Sequence, residues 1–175
     1  SRPTAGSPLP TPGKDPQTTA RRSPRVAEPS VVTVDVIVDA PVEAVWAAVV
    51  DWESQDAWML GTRVHVVGDR SEGMGARLEA VTGAGPLAVT DPMVITEWEP
   101  PNRCVVRHTG SVVRGEGIFE VFALPGGRSR FVWTERLDLP LGRLGRAGWP
   151  LVRPVMVAGV RASLRRLARY VEQGG

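Results

Sequence analysis

The stretch "VVTVDVIVDAPVEAVWAAVVDW" (31–52) constrains the fold more than any other part of the chain. Val32, Val34, Val36 and Val38 alternate with Thr33, Asp35, Ile37 and Asp39. A period of two marks a strand with one buried face. At Asp39-Ala40-Pro41 the period changes with no linker between. Val42, Val45, Trp46 and Val49 recur at spacings of three and four, which is an apolar helical face. Pro41 falls in the first turn, where a helix tolerates it. Asp39 is the expected cap, with Glu43 in the first turn. The helix should fade near Asp51–Glu53, and a short second helix is expected over Gln55–Met59. Three tryptophans, Trp46, Trp52 and Trp58, fall within these first turns. They are expected to help wall a cavity, with Trp46 on the core face and Trp52 plugging the helix end.

Six strand-like runs follow, over residues 62–68, 76–83, 89–100, 103–109, 112–124 and 129–140, each bounded by Gly, Pro, Asn or Asp. Regular spacing of short strands argues an antiparallel sheet. The last segment, from Trp149 onward, reads as one long helix. Val152, Met156, Val160, Leu164, Leu167 and Val171 form its apolar stripe, with Arg161, Arg165, Arg166 and Arg169 largely opposite. Pro154 is expected to kink its first turn.

Residues 1–30 have a different character. They carry Pro, Ser, Thr, Gly and Arg with almost no large apolar group, too little burial to offset ordering entropy. A disordered tail over 1–30 and one folded domain over 31–175 are expected. The tail also explains the charge. It holds five basic and two acidic residues of the 21 and 19 in the chain, so the folded part is near −1. The basic isoelectric point is therefore poor support for a nucleic-acid surface, and no nucleic-acid partner is expected. Arginine far outnumbers lysine, with abundant Ala, Val and Gly, as in the coding bias of a GC-rich bacterium.

The single cysteine, Cys104, excludes an intrachain disulfide and a cysteine-based zinc cluster. The two histidines, His65 and His108, are separated and do not make a metal site. No run of about eighteen apolar residues occurs, so no stable membrane insertion is expected, and a cytoplasmic location fits. No nucleophile elbow, P-loop or dinucleotide fingerprint is present, and no cofactor is expected.

The order strand, helix, helix, six strands, long helix, with "APVEAVWAAVVDW" (40–52) and "WEPPNR" (98–103), resembles the START/Bet v 1-like, or SRPBCC, superfamily. Within it the chain most resembles the bacterial polyketide cyclase/dehydrase-type group, over about residues 31–172. The resemblance implies an α+β helix-grip fold. In that fold a curved antiparallel sheet of about seven strands wraps a long C-terminal helix, and an apolar cavity lies between them. Members of the superfamily bind lipids, polyketides and other apolar molecules. Some catalyse cyclisation or dehydration, and others act as partners. These motifs specify fold and are nearly silent on activity.

Strand alternation gives the expected cavity face. In the last strand Phe131, Trp133, Glu135, Leu137 and Leu139 share a face, and Cys104, Val106 and His108 share one in the fifth. Leu78 and Ala80 face inward from the third. Gly115, Gly117, Phe119 and Val121 face inward from the sixth, where the glycines permit bending. The fourth strand is ambiguous, because Met93/Ile95 and Val94/Trp98 are both apolar. Expected ligand-binding residues from the sheet are therefore Leu78, Met93, Val106, Phe119, Phe131 and Trp133. Trp58 and Met59 join them at the cavity mouth, and Met156 and Val160 from the closing helix.

Glu135 and His108 are the catalytic candidates. A buried Glu has its pKa raised by desolvation and can serve as acid or base. Its alternatives are an ion pair with an arginine or a place at the sheet rim. His108, beside Gly110 at a strand end, reads as a rim side chain or a base, and His65 as solvent-facing. The leading functional expectation is binding of a small lipid- or polyketide-like molecule. The alternative is a cyclase or dehydratase, which needs two inward polar groups close together, such as Glu135 with His108. The only tyrosine, Tyr170, lies at the chain end, a departure from aromatase relatives with several polar groups in the cavity. A third expectation is an interaction module for a protein or membrane surface. Self-association as a homodimer is left open.

Overall fold

In the computed structural model, which describes residues 29–139 and 143–175, the alternating stretch forms β1, Ser30–Val38. The expected tail lies outside the described residues except at Pro29 and Ser30, and Ser30 already belongs to β1. Val32, Val34 and Val38 are buried, and the residues between them are exposed or half-buried. The chain then enters α1, Val42–Val50, burying Val42, Val45, Trp46 and Val49 as the spacing predicts. The cap differs from expectation. The extended Pro41 starts the helix with no side-chain cap, its carbonyl accepting from the N–H groups of Ala44 and Val45. The N–H of Asp39 donates instead to Glu172 Oε1, 2.9 Å away. The position before the helix thus ties to the far end of the chain rather than capping α1.

A six-residue 3-10 turn, Trp52–Ala57, replaces the expected helix over Gln55–Met59. It is fixed from both sides. Gln55 Nε2 donates to the Val49 carbonyl at 2.6 Å, satisfying an orphan acceptor at the end of α1. Glu53 Oε1 accepts from the Val66 N–H at 2.9 Å, which anchors the turn to the next strand.

Six strands follow: β2 (Thr62–Val67), β3 (Arg77–Thr82), β4 (Val89–Glu99), β5 (Arg103–His108), β6 (Gly115–Leu124) and β7 (Arg128–Leu137). With β1 they form one antiparallel sheet in the order β1-β7-β6-β5-β4-β3-β2. The ambiguity in β4 resolves at a register shift between Ile95 and Glu97, where β4 pairs with β5. Met93 and Ile95 are buried before the shift. A bulge moves side chains to the other face. Beyond it Trp98 turns inward, edge-on to Trp46 of α1 at 5.3 Å between ring centres.

The closing helix, α2, runs Arg143–Glu172, so it begins before Trp149, and both Pro150 and Pro154 lie inside it. It packs on β1, α1 and the 3-10 turn. Leu164, Leu167, Ala168 and Val171 are buried, whereas Leu144, Leu151, Val152 and Val155 are exposed. Val152 therefore does not belong to the gripped stripe. Trp149 is half-buried against the core near the start of the helix, Leu151–Val155 are exposed, and burial from Met156 onward deepens toward the C-terminus. Ser163 Oγ accepts from the Leu60 N–H at 3.0 Å, and Arg166 donates to the Ala57 carbonyl at 3.1 Å, which holds that half in place.

Truncation separates the two halves of α2. Leu167→Ala should lower unfolding stability by about 2–5 kcal/mol, the usual range for a fully buried leucine. Val152→Ala should change it by less than about 0.5 kcal/mol, as at an open surface. Chemical denaturation of the two variants checks this. Equal losses would show that the helix is gripped along its whole length.

Candidate functional site

The inner face of the sheet and α2 border a half-open cavity of about 300 Å³. Val64 of β2, Ala80 of β3, Met93 of β4 and Val106 of β5 line one wall. Phe119 of β6 and Trp133 of β7 line the other, with their rings edge to face at 5.3 Å. Met59 and Met156 close it from the turn and from α2. Two larger hollows, of about 530 and 520 Å³, are walled mainly by turns and outward-facing side chains. The second contains Arg107, Arg114 and Arg136 and reaches His108 from outside.

Of the ten residues expected to contact a ligand, Met59, Met93, Val106, Phe119, Trp133 and Met156 line the cavity. Trp58, Leu78, Phe131 and Val160 do not. The first three are almost wholly buried, and Val160 packs against the core. Of the three early tryptophans, Trp52 and Trp58 back the wall rather than form it, and Trp46 packs on Trp98 away from the cavity lining. Trp58 meets Trp133 edge-on at 6.4 Å, and Trp52 lies 6.4 Å from Phe119. Trp52 also donates to the Ser71 carbonyl at 2.8 Å. The period of α1 places indoles at the core, but only the sheet's curvature decides which ring faces the void.

The titratable groups of the lining, Asp91, His108 and Glu135, form one hydrogen-bonded cluster. His108 is 8% exposed and is held through both ring nitrogens. Its Nδ1 lies 2.6 Å from Asp91 Oδ2, and its Nε2 lies 3.3 Å from Glu135 Oε2. Glu135 Oε1 accepts from Trp133 Nε1 at 2.6 Å. Among the described residues no arginine pairs with Glu135, which is buried, whereas His108 has a buried side chain on a half-buried residue that also borders the outer hollow. His65, by contrast, is exposed beside Glu53 at 3.5 Å.

The sheet register explains how residues two strands apart meet. His108 of β5 pairs with Gly115 of β6, and Val106, Gly117 and Glu135 lie in one row across β5, β6 and β7. The middle member of that row has no side chain. A Cβ on Gly117 would sit 3.1 Å from both Glu135 Oε1 and Val106 Cγ2. Gly115 is needed for a different reason. Its φ is +121°, and a Cβ there would meet the Arg136 carbonyl oxygen at 1.8 Å. Asp91 was not singled out from the sequence, though the alternation Asp91, Met93, Ile95 puts it on the face that proves buried. Gln55 was missed because a 3-10 turn has no long-range period.

Burial alone disfavours the charged imidazole of His108. The hydrogen bonds and charges of Asp91 and Glu135 outweigh it and hold the pKa up to about 9. Cys104 is also buried, and burial pushes its thiol up to about 12, which removes it as a nucleophile at neutral pH.

Comparison with known proteins places this arrangement in a family. The family described as "Polyketide cyclase / dehydrase and lipid transport" matches residues 30–172. The chain belongs to that family. Similar solved structures include TTHA0849 from Thermus thermophilus, 23% identical, with TM-score 0.70 over 83% of this chain and 99% of that one. The Zhui aromatase/cyclase from a Streptomyces species is 18% identical, with TM-score 0.67 over 82% of this chain and 94% of that one. DR_A0006 from Deinococcus radiodurans is 20% identical, with TM-score 0.60 over 83% and 100%. At these identities the likeness establishes the fold. No curated protein matches the sequence. Membership of the polyketide cyclase/dehydrase family gives the chain a fold suited to hydrophobic ligands. No described helix is long and apolar enough to cross a membrane.

The raised pKa of His108 has a sign that can be checked. A raised folded-state pKa stabilises fully below the unfolded value of 6.5 and loses that stabilisation as pH rises through about 9. An NMR titration of the His108 ring should give a midpoint near 9. In Gly117→Ala the crowded Glu135 carboxylate must give way by a few tenths of an ångström, and the midpoint should fall. A wild-type midpoint at or below 6.5 would contradict the double carboxylate contact.

Proposed function

We propose that the chain binds a small apolar molecule, polyketide- or lipid-like, in the cavity between the sheet and α2. The observation that carries this reading is the half-open space of about 300 Å³ with carbon-rich walls and one cluster of titratable groups, Asp91, His108 and Glu135. A pocket of that size with few convergent polar groups suits a ligand held by burial and oriented by its polar end. The family's description, which names polyketide cyclase/dehydrase and lipid transport, supports the same ligand class. Met93, Val106, Phe119, Trp133, Met59 and Met156 are the proposed contacts. A cytoplasmic setting fits the single buried thiol.

One observation favours a second reading, an enzyme of cyclase or dehydratase type. Asp91, His108 and Glu135 stand in hydrogen-bonding line at the cavity wall. Once a substrate displaces the long 3.3 Å contact between His108 and Glu135, a protonated His108 can give a proton to a departing hydroxyl, and Glu135 can take one from carbon. Asp91 then orients the ring. The interaction-module reading keeps only the N-terminal half of α2, since Leu164, Leu167 and Val171 are committed to the core.

Met156→Trp tests the binding reading. Met156 lines the cavity from α2, and its flexible side chain leaves room that an indole would fill. The variant should lose the emission enhancement of the neutral dye N-phenyl-1-naphthylamine. Its melting temperature should move by no more than about 4 °C. Strong destabilisation, as in an overpacked core, or unchanged dye uptake would contradict a ligand site at Met156.

A further inference from the structure

The hydrogen-bond valences in the cluster of Asp91, His108 and Glu135 are unequal. An imidazole offers at most two donors, and both nitrogens of His108 already face carboxylate oxygens. The one donor of the Trp133 indole is used on Glu135 Oε1. No donor of this group is left for a ligand. Acceptor capacity does remain. Each oxygen of Glu135 takes a single hydrogen bond where a carboxylate oxygen can take two, and the contact to His108 is long at 3.3 Å. Asp91 Oδ1, which lines the cavity, is buried with no hydrogen-bond partner among the described residues; the one donor in the same condition, Trp58 Nε1, belongs to a ring behind Trp133 and outside the lining.

Charge acts in the same direction. Two carboxyl groups face one imidazole, so acidic groups outnumber basic ones in this cluster beside an apolar space of about 300 Å³. In surroundings of low polarity a like charge is costly to admit, and an opposite one is favoured. Among the other cavity-lining polar groups, Gln55 gives one of its two Nε2 hydrogens to the Val49 carbonyl, and it makes no hydrogen bond to the cluster of Asp91, His108 and Glu135. The Thr62 and Thr82 hydroxyls bond each other at 2.9 Å at an exposed position. Arg107 lies on the outer face, where it pairs with Glu116 at 3.2 Å, and does not line this cavity.

We propose that the cavity selects an apolar molecule whose polar end donates hydrogen bonds, an alcohol, a phenol or an ammonium, and rejects a carboxylate. The selectivity resides in Glu135, with Asp91 and His108 fixing its charge balance. Free fatty acids and other carboxylates are therefore poor occupants, whatever the length of their apolar part. This rests on the binding reading above and goes beyond it by naming the head group.

Four probes with one ring system separate the two ideas: naphthalene, 2-naphthol, 2-naphthylmethylammonium and 2-naphthoate. Each is titrated calorimetrically into the full chain at pH 7. The naphthol should bind more tightly than naphthalene, and the ammonium at least tenfold more tightly than the carboxylate. Comparing two charged probes removes the general penalty of burying an ion. In Glu135→Gln the ratio of ammonium to carboxylate affinity should shrink at least fivefold. Naphthalene binding reports whether that variant keeps its cavity, and if it does not fold, the wild-type order alone decides. Carboxylate affinity equal to or above that of the ammonium would overturn the head-group inference while leaving cavity binding intact. Failure of all four probes to bind would overturn the binding reading, and the inference with it.

Discussion

A seven-stranded antiparallel sheet with one apolar face must cover that face, and a single helix is too narrow to do it. Strands lie about 4.8 Å apart, so seven of them span roughly 30 Å, whereas a helix with its side chains is about 10–12 Å across. The sheet answers by curving around α2, and α1 with the 3-10 turn covers a further part. The bulge in β4 belongs to this solution, because it brings Trp98 onto Trp46. Contact is closest near the C-terminus of α2, at Leu164, Leu167 and Val171. Toward Met156 the helix no longer fills the concave face, and the cavity remains. The cavity is thus a consequence of covering a wide sheet with a narrow helix.

Such a void is stable only if its walls hold themselves up. The aromatic chain Trp52, Phe119, Trp133 and Trp58 does this, each ring resting on the next at 5.3 to 6.4 Å between centres. The indole of Trp133 serves twice, as a wall and as a donor to Glu135. That bond fixes one carboxylate oxygen and leaves the other for His108. Gly117 leaves the clearance this requires. The site is held by a strand register, one missing side chain and a set of charge-assisted hydrogen bonds, with no loop involved in its polar centre.

Much of the fold was legible in the sequence because period and face are local properties. The alternation over β1, the spacing of Val42, Val45, Trp46 and Val49, and the breaks between later strands each follow from backbone geometry. Two errors share a cause. Val152 continues the apolar spacing of α2 but lies beyond the sheet's grip, and Trp58 continues the aromatic cluster but stands behind Trp133. Period tells which side of an element is apolar, not what stands opposite it. Glu135 and His108 were readable as inward-facing, but their meeting depended on the β5–β6–β7 register and on Gly117. Asp91 had the right alternation and passed unnoticed because the bulge at Ile95 blurred the face of β4.

The central claim is that the space between the sheet and α2 is an apolar chamber open to small molecules. Xenon enters such chambers and leaves polar or filled ones alone. A crystal structure under xenon pressure tests the claim most directly. The account predicts xenon among Met93, Val106, Phe119 and Trp133, with Glu135 and His108 unmoved. A structure with no xenon at that position would contradict it.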